Sequence, residues 1–248
     1  CIERNGKFYF YVPAHSRISG GMAIGVAVAD KIEGPYRDPL GKPLYEDGKW
    51  DHIDPTVMID DDGQAYIYWG NPRLYSAKLN EDMISFASEV KCDSTVQRYT
   101  EGPWIYKKGK GKYLMIYAAG GIPECIAYSE SKKPQGPWKY KGEVMAQDNF
   151  TNSFTNHSGI VEFKGHNYFF YHTGWLPGGG GFARSVSVEE FNWDKDGNLP
   201  LIKPTKEGVN PIATLSPYTR VEGETMAFSK GVRTDQNKKQ SRVWASDI

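Results

Sequence analysis

NGKFYFYVPA (Asn5–Ala14), DGQAYIYWGN (Asp62–Asn71), GKYLMIYAAG (Gly111–Gly120) and GHNYFFYHTG (Gly165–Gly174) are copies of one pattern. Each is a glycine turn followed by a run that alternates aromatic with β-branched or aliphatic residues, as a half-buried strand leaving a tight turn does. With Gly6, Gly63, Gly111 and Gly165 as markers the copies recur about every 50 residues, a period of propeller blades and other arrays. Equivalent strands in successive blades are therefore predicted.

Upstream of the glycines the copies share a polar end. The second is preceded by HIDPTVMIDDDG, the third by YTEGPWIYKKGKG and the fourth by TNHSGIVEFKG, so Asp54, Glu101 and His157 hold matching places eight to ten residues before the marker. A propeller packs its innermost strands around a central axis, which brings residues at equivalent strand starts to one mouth of the channel. Two carboxylates and a histidine are expected to face each other there.

Downstream, Gly21–Asp30 reads as the next strand of the first copy and Ile32–Pro39 (IEGPYRDP) as a turn-rich edge. Glu124–Ser131 followed by Lys133–Tyr140 (KPQGPWKY) repeats that layout. LYSAKLNEDM takes the place in the second copy and ARSVSVEEFNWDKDGNL in the fourth, where Asp196–Gly197 is a hairpin signal. No helical periodicity competes, so the fold class is all-β. The pattern stops after about Ile212. Residues 1–212 are assigned to the propeller, and 213–248 to a Pro-marked linker and the opening of a second β domain, in which RVEGETMAF is strand-like. A tail wrapping the propeller is the rival reading.

Aromatics at 14% with 27 Gly and 15 Pro suit short strands and many turns. Thirty basic against 30 acidic residues leave no net charge, which argues against nucleic acid as a partner. No apolar run is long enough to span a membrane and no signal-peptide pattern is seen. The start at Cys1, in mid-pattern, is expected to mark a processed or truncated chain. Cys1, Cys92 and Cys125 lack metal-type spacing and read as buried or incidental thiols.

Two carboxylates across a cavity suit hydrolysis of a glycosidic bond, one protonating the departing oxygen while another activates water or attacks the sugar. Glu101 precedes the apolar stretch Gly102–Tyr106, an environment expected to raise its pKa, and is the general-acid candidate. Asp54, near Asp51, Asp60, Asp61 and Asp62, is expected to stay ionised and tune its neighbour. Asp60–Gly63 reads as a solvated turn, with a calcium loop the rarer alternative. His157 is either a core histidine or a channel residue supporting an ion or ordered water. Trp69, Trp104 and Trp175 are core aromatics or sugar-stacking platforms.

IDPTVMIDDDGQAYIYWGN, YTEGPWIYKKGKGKYLMIYA and NHSGIVEFKGHNYFFYHTGWLPGGGGFARSVSVEEFNWDKDG, in this order, resemble glycoside hydrolase family 43 over about residues 1–212. The resemblance implies a five-bladed β-propeller with about four blades present. It implies an arabinofuranosidase or xylosidase that acts with inversion on arabinoxylan, xylan or arabinan of the plant cell wall. Glu101 matches the family's general acid, Asp54 its pKa-modulating aspartate and Arg184 an arginine that helps hold the glycone sugar. His157 matches a channel histidine associated with a bound calcium or a water cluster, and no cofactor is implied for the chemistry itself. The tail RVEGETMAFSKGV is similar to the start of a family 6 carbohydrate-binding module. A polymeric substrate implies a secreted or periplasmic enzyme.

The sequence departs from the family at the general base, an aspartate in a DP motif of the first blade that nothing here matches. Asp51 stands three residues before Asp54 and is expected on the opposite face of a strand, while Asp148 lies in a loop that would have to reach the mouth. A glycan-binding propeller without the base is the alternative function. A protein-interaction propeller of Kelch-like spacing is a third, against which the EGPW and NHS blade starts count.

Overall fold

The computed structural model describes residues 1–147, 150–210, 232–237 and 240–245. The chain divides into two compact units, Cys1–Val209 and Asn210–Ile248. The first is built of antiparallel sheets taken in chain order, as in a propeller. Sheet one contains β1 (Ile2–Arg4), β2 (Lys7–His15), β3 (Met22–Ala29) and β4 (Tyr45–Glu46). Sheet two contains β5 (Thr56–Ile59), β6 (Ala65–Trp69), β7 (Leu74–Leu79) and β8 (Lys91–Asp93). Sheet three contains β9 (Tyr99–Gly109), β10 (Lys112–Ala119), β11 (Cys125–Ser131) and β12 (Lys139–Met145). Sheet four has β13 (Ser158–Phe163), β14 (His166–Thr173) and β15 (Ser185–Phe191).

The repeats fall on β2, β6, β10 and β14, the second strand of each sheet. The turns before β2 and β14 have positive φ at both central residues, Asn5 (53°) with Gly6 (75°) and Lys164 (51°) with Gly165 (80°). That is the geometry of a two-residue hairpin turn matched to strand twist, which glycine and asparagine adopt at little cost.

The core lies between neighbouring sheets. On β6, Ala65, Ile67 and Trp69 pack with Tyr9, Tyr11 and Ile24 of sheet one, while Tyr66 and Tyr68 pack with Tyr113, Met115 and Tyr117 of sheet three. Burial on both faces explains an uninterrupted aromatic run where a one-sided strand would alternate with polar residues. Leu114, Ile116 and Ile126 of sheet three meet Ile160, Phe169 and Tyr171 of sheet four in the same way. Each such side chain stabilises the fold by about 1.5–3 kcal/mol.

Among the described residues the end sheets have no such second partner. Tyr9 and Tyr11 of β2 face sheet two, but Phe10 between them is 46% exposed. Phe169 and Tyr171 of β14 face sheet three, while Phe170 is 39% and Phe163 53% exposed. Val161 and Val186 pair with Tyr168 and His172, on the Phe170 face, and are exposed too.

Three sequence readings are settled or changed. Trp69, a candidate sugar platform or core aromatic by sequence, takes the core place, 0% exposed because β6 is sandwiched on both faces; its indole N–H donates to His52 Nδ1 at 3.0 Å. Asp196–Gly197 forms a turn, closed by Gly197 N to Asp194 O (2.9 Å), but among the described residues no strand follows it to complete a hairpin. Asp51 and Asp54 lie in an irregular segment before β5 and not on a strand, so alternation does not separate them. In the second unit β16 (Val232–Asn237) and β17 (Gln240–Ala245) form an antiparallel pair. RVEGETMAF and Asp148 lie outside the described residues.

Candidate active site

The three blade-start residues do converge. Asp54 Oδ2 lies 3.8 Å from His157 Nε2, which contacts Glu101 Oε1 at 2.9 Å. Asp54 is held at φ 56°, a left-handed conformation that costs a non-glycine residue energy and concentrates at functional sites. Glu101 sits on β9 opposite Ala118, where the β9–β10 register shifts; such a bulge re-aims a side chain off the regular pleat. His157 directly precedes β13. Gly102 is at φ 59°, and a Cβ there would stand 3.0–3.1 Å from ring carbons of His157. The glycine of EGPW therefore lets the imidazole lie against the backbone beside Glu101.

Sequence reasoning missed several members. Asn71, at the end of the repeat YIYWGN, donates from Nδ2 to Glu101 Oε2 at 2.5 Å. His172 is buried, with Nδ1 accepting the His157 backbone N–H (3.3 Å) and Nε2 2.7 Å from Thr155 O. These bonds fix a neutral ring with its proton on Nε2. Tyr99 donates to Gly70 O at 2.8 Å, tying sheet three to the segment that carries Asn71. Glu124 is buried and accepts from Asn156 N at 2.7 Å. Asn71 and His172 were inside quoted repeats, but their strand-like surroundings gave no sign of a polar role.

The electrostatics differ from the sequence expectation. Burial works to raise the Glu101 pKa, but the His157 and Asn71 hydrogen bonds and the Arg184 charge prevail and hold it below the usual value. Burial raises Asp54, and the Glu101 charge adds to this against the pull of His157. Asp54 Oδ2 is buried, with no hydrogen-bond partner among the described residues. His157 is raised: its burial is outweighed by the bond to Glu101 and the charges of Asp54, Glu101 and Glu124. Burial pushes Glu124 up to about 7. His172 is pushed down to about 4, first by burial and then by the Arg184 and His157 charges. The apolar residues after Glu101 fail to set its pKa because its two oxygens point at donors.

Among the remaining candidates, Trp104 is 37% exposed and lines a cavity of about 240 Å³ with Asp54, Tyr11 and His157. Arg184 is exposed, its Nε donating to Gly181 O at 2.9 Å, and its charge acts on Asp54 and Glu101. Trp175 is half-buried and donates to Phe150 O at 2.6 Å. The Asp51 carboxylate accepts Tyr75 OH at 2.8 Å, and its carbonyl accepts the Asn71 N–H at 3.1 Å. Asp60 closes a turn with Gly63 (2.9 Å), but its side chain is largely buried against Lys107 and Tyr113 where the sequence reading expects a solvated turn.

Residues 1–199 match the family model for glycosyl hydrolases family 43. The chain belongs to this family. Family 43 relatives include a xylosidase/arabinosidase of Humicola insolens, 33% identical with 82% of this chain and 74% of the relative covered. An arabinoxylan arabinofuranohydrolase of Paenibacillus polymyxa is 30% identical, covering 94% of this chain but only 41% of the longer relative. Among solved structures, a family 43 β-xylosidase/α-arabinofuranosidase from a compost metagenome, in complex with xylotriose and in a calcium-free form, superposes with a TM-score of 0.71. It is 29% identical, with 81% of this chain and 71% of that one covered. Family 43 membership favours a glycosidase over a purely glycan-binding propeller, and family 43 catalysis needs no cofactor.

Asp54, Glu101 and His157 also form the metal-type cluster found among the described residues, with donor atoms within 4.8 Å of one another. They do not fit calcium as a direct shell. Calcium takes six to eight oxygen ligands, whereas here an imidazole nitrogen and one Glu101 oxygen are engaged with each other.

Proposed function

We propose that this family 43 protein releases arabinofuranosyl or xylosyl units from arabinoxylan or xylo-oligosaccharides by single displacement with inversion. The observation that carries the reading is the contact between Glu101 and His157, with Asp54 beside it, at the joined starts of sheets two, three and four. Glu101 is the general acid. In the resting site the shared proton sits on His157, whose affinity for it is raised while that of Glu101 is lowered. A sugar that displaces water from the mouth disfavours the ion pair, because desolvation penalises both charged forms, and moves the proton to Glu101. Glu101 then gives it to the glycosidic oxygen as that bond breaks, while water attacks from the opposite face and loses a proton to the base. Asp54 tunes Glu101 through its charge, Arg184 holds the glycone, and Trp104 and Trp175 offer ring faces for further sugar.

The base belongs, in this proposal, to a fifth blade. The unpaired apolar faces of sheets one and four, with Phe10, Phe163 and Phe170 exposed, support one more sheet packed between them. An inverting base stands roughly 6.5–9.5 Å from the acid carboxyl, across the channel. We assign residues 1–212 to the propeller and 213–248 to a linker and the start of a carbohydrate-binding β-sandwich, and place the enzyme outside the cell or in the periplasm, where such polymers are met. A calcium ion at the channel would draw most of its shell from water.

Turnover of aryl α-L-arabinofuranoside and aryl β-D-xyloside by the enzyme carrying all its blades tests the reading, with the anomer of the first product followed by NMR. Inverted product is expected, together with loss of roughly a hundredfold to ten-thousandfold in Glu101→Gln, the usual contribution of general acid catalysis. Retained configuration, or turnover indifferent to Glu101→Gln, overturns it. Turnover by residues 1–248 alone would place the base within this sequence.

A further inference from the structure

Glu124 lies in the loop between β10 and β11, 6% exposed, and the reaction described above makes no use of it. It makes two bonds to the segment leading into sheet four. Its backbone N–H donates to Phe154 O at 2.9 Å, and its carboxylate Oε2 accepts the Asn156 N–H at 2.7 Å. A third link, from Asn156 Nδ2 to Met145 Sδ (3.3 Å), joins the same segment to the outer strand of sheet three. The next residue is His157, whose ring meets Glu101 at 2.9 Å.

His157 precedes β13 and is outside the β13–β14 ladder, which begins at Ser158. Strand pairing therefore does not set its position. It is set by its own N–H on His172 Nδ1 and by what fixes Asn156. Glu101, in contrast, is carried on the longest strand of sheet three. The distance between acid and imidazole is thus a distance between two sheets, and the Glu124 clip spans the gap between them. A third carboxylate buried near Asp54 and Glu101 is an electrostatically costly way to hold a loop, since like charges repel most where water is scarce. Its placement makes sense if what it holds must be held accurately.

We infer that Glu124 is a positioning residue whose clip on Asn156 sets the His157–Glu101 contact, and through it the orientation of the acid. The inference rests on the reading of Glu101 as the proton donor. A misplacement of about 1 Å in such a group costs up to about a hundredfold in rate. Glu124 is not among the residues that line the cavity beside Trp104.

The test compares Glu124→Gln, Glu124→Asp and Glu124→Ala. Glutamine keeps an acceptor oxygen at the same reach, aspartate keeps the charge but withdraws it by one methylene, and alanine removes the clip. In the enzyme with all its blades, kcat is expected to fall about tenfold to a hundredfold in the alanine and aspartate variants, with KM within about threefold. The glutamine variant is expected to stay within about threefold in both. In residues 1–248, the imidazole signals of His157 in nitrogen-15 NMR should move in the alanine and aspartate variants and stay as in the parent in the glutamine variant. Equal damage by glutamine and aspartate, or His157 signals that do not move in either the aspartate or the alanine variant, overturns the inference. Should the alanine variant fail to fold, the glutamine–aspartate contrast still decides. An inactive parent enzyme would sink the proton-donor reading alone, because the NMR contrast needs no turnover.

Discussion

His172 shows how one residue can be neutral by construction. Its Nδ1 already accepts the His157 N–H, so a second proton would have to take the lone pair that bond uses, and burial and the Arg184 charge oppose it further. With its pKa at about 4 in the fold against an ordinary 6.5, the folded state binds fewer protons than the unfolded chain between those values. The stability this residue contributes is therefore complete above about pH 6.5 and lost as pH falls through 4, on the order of 2 kcal/mol after allowance for residual solvent. In His172→Gln, whose side chain does not titrate, thermal unfolding followed between pH 7 and 4 should show a shallower acid decline than the parent. Identical slopes would show that His172 is not the group responsible. Gly102 makes a similar point by subtraction, since a side chain there would begin only 3.0–3.1 Å from the His157 ring.

At the scale of elements, β6 separates a core strand from a sugar platform. Its five residues are all buried, so the aromatic run belongs to two interblade clusters at once. Trp69 stacks on Tyr75 and Phe86 and bonds to His52, whose Nε2 is 2.6 Å from Asp47. Trp69→Ala should lower stability by about 3–5 kcal/mol, the range for deleting a large buried aromatic, when urea unfolding is compared with the parent. Sugar affinity of the folded variant should be unchanged. A variant of full stability with weakened sugar binding would return Trp69 to the channel.

The unit Cys1–Val209 is a set of sheets glued by the clusters between neighbours, and among the described residues its first and fourth sheets each have an apolar face with no such cluster. Phe10, Phe163 and Phe170 are exposed there, on the faces against which the proposed fifth blade would pack. Phe170→Asp should therefore leave the melting temperature of residues 1–248 nearly unaltered, yet lower that of the enzyme with all its blades by several degrees. An equal effect on both would mean that the Phe170 face is covered by nothing beyond this chain. The clip at Glu124 and the tie from Tyr99 to Gly70 belong to this scale as well, because each fixes one sheet to its neighbour at the mouth.

The sequence by itself determined the repeat, since glycine turns and two-sided aromatic strands are local requirements of backbone and burial. It also marked Asp54, Glu101 and His157, because equivalent positions in a radial array must converge. What it did not decide is what each side chain touches. Trp69 and Trp104 read alike along the chain, and only sheet-on-sheet packing buries one and leaves the other open. The apolar stretch after Glu101 predicts a raised pKa, but Asn71 and His157 arrive from other blades to lower it. His172 and Glu124 are legible only in the tertiary structure, because hydrogen bonds across blades depend on distances between segments far apart in sequence, which no local pattern encodes.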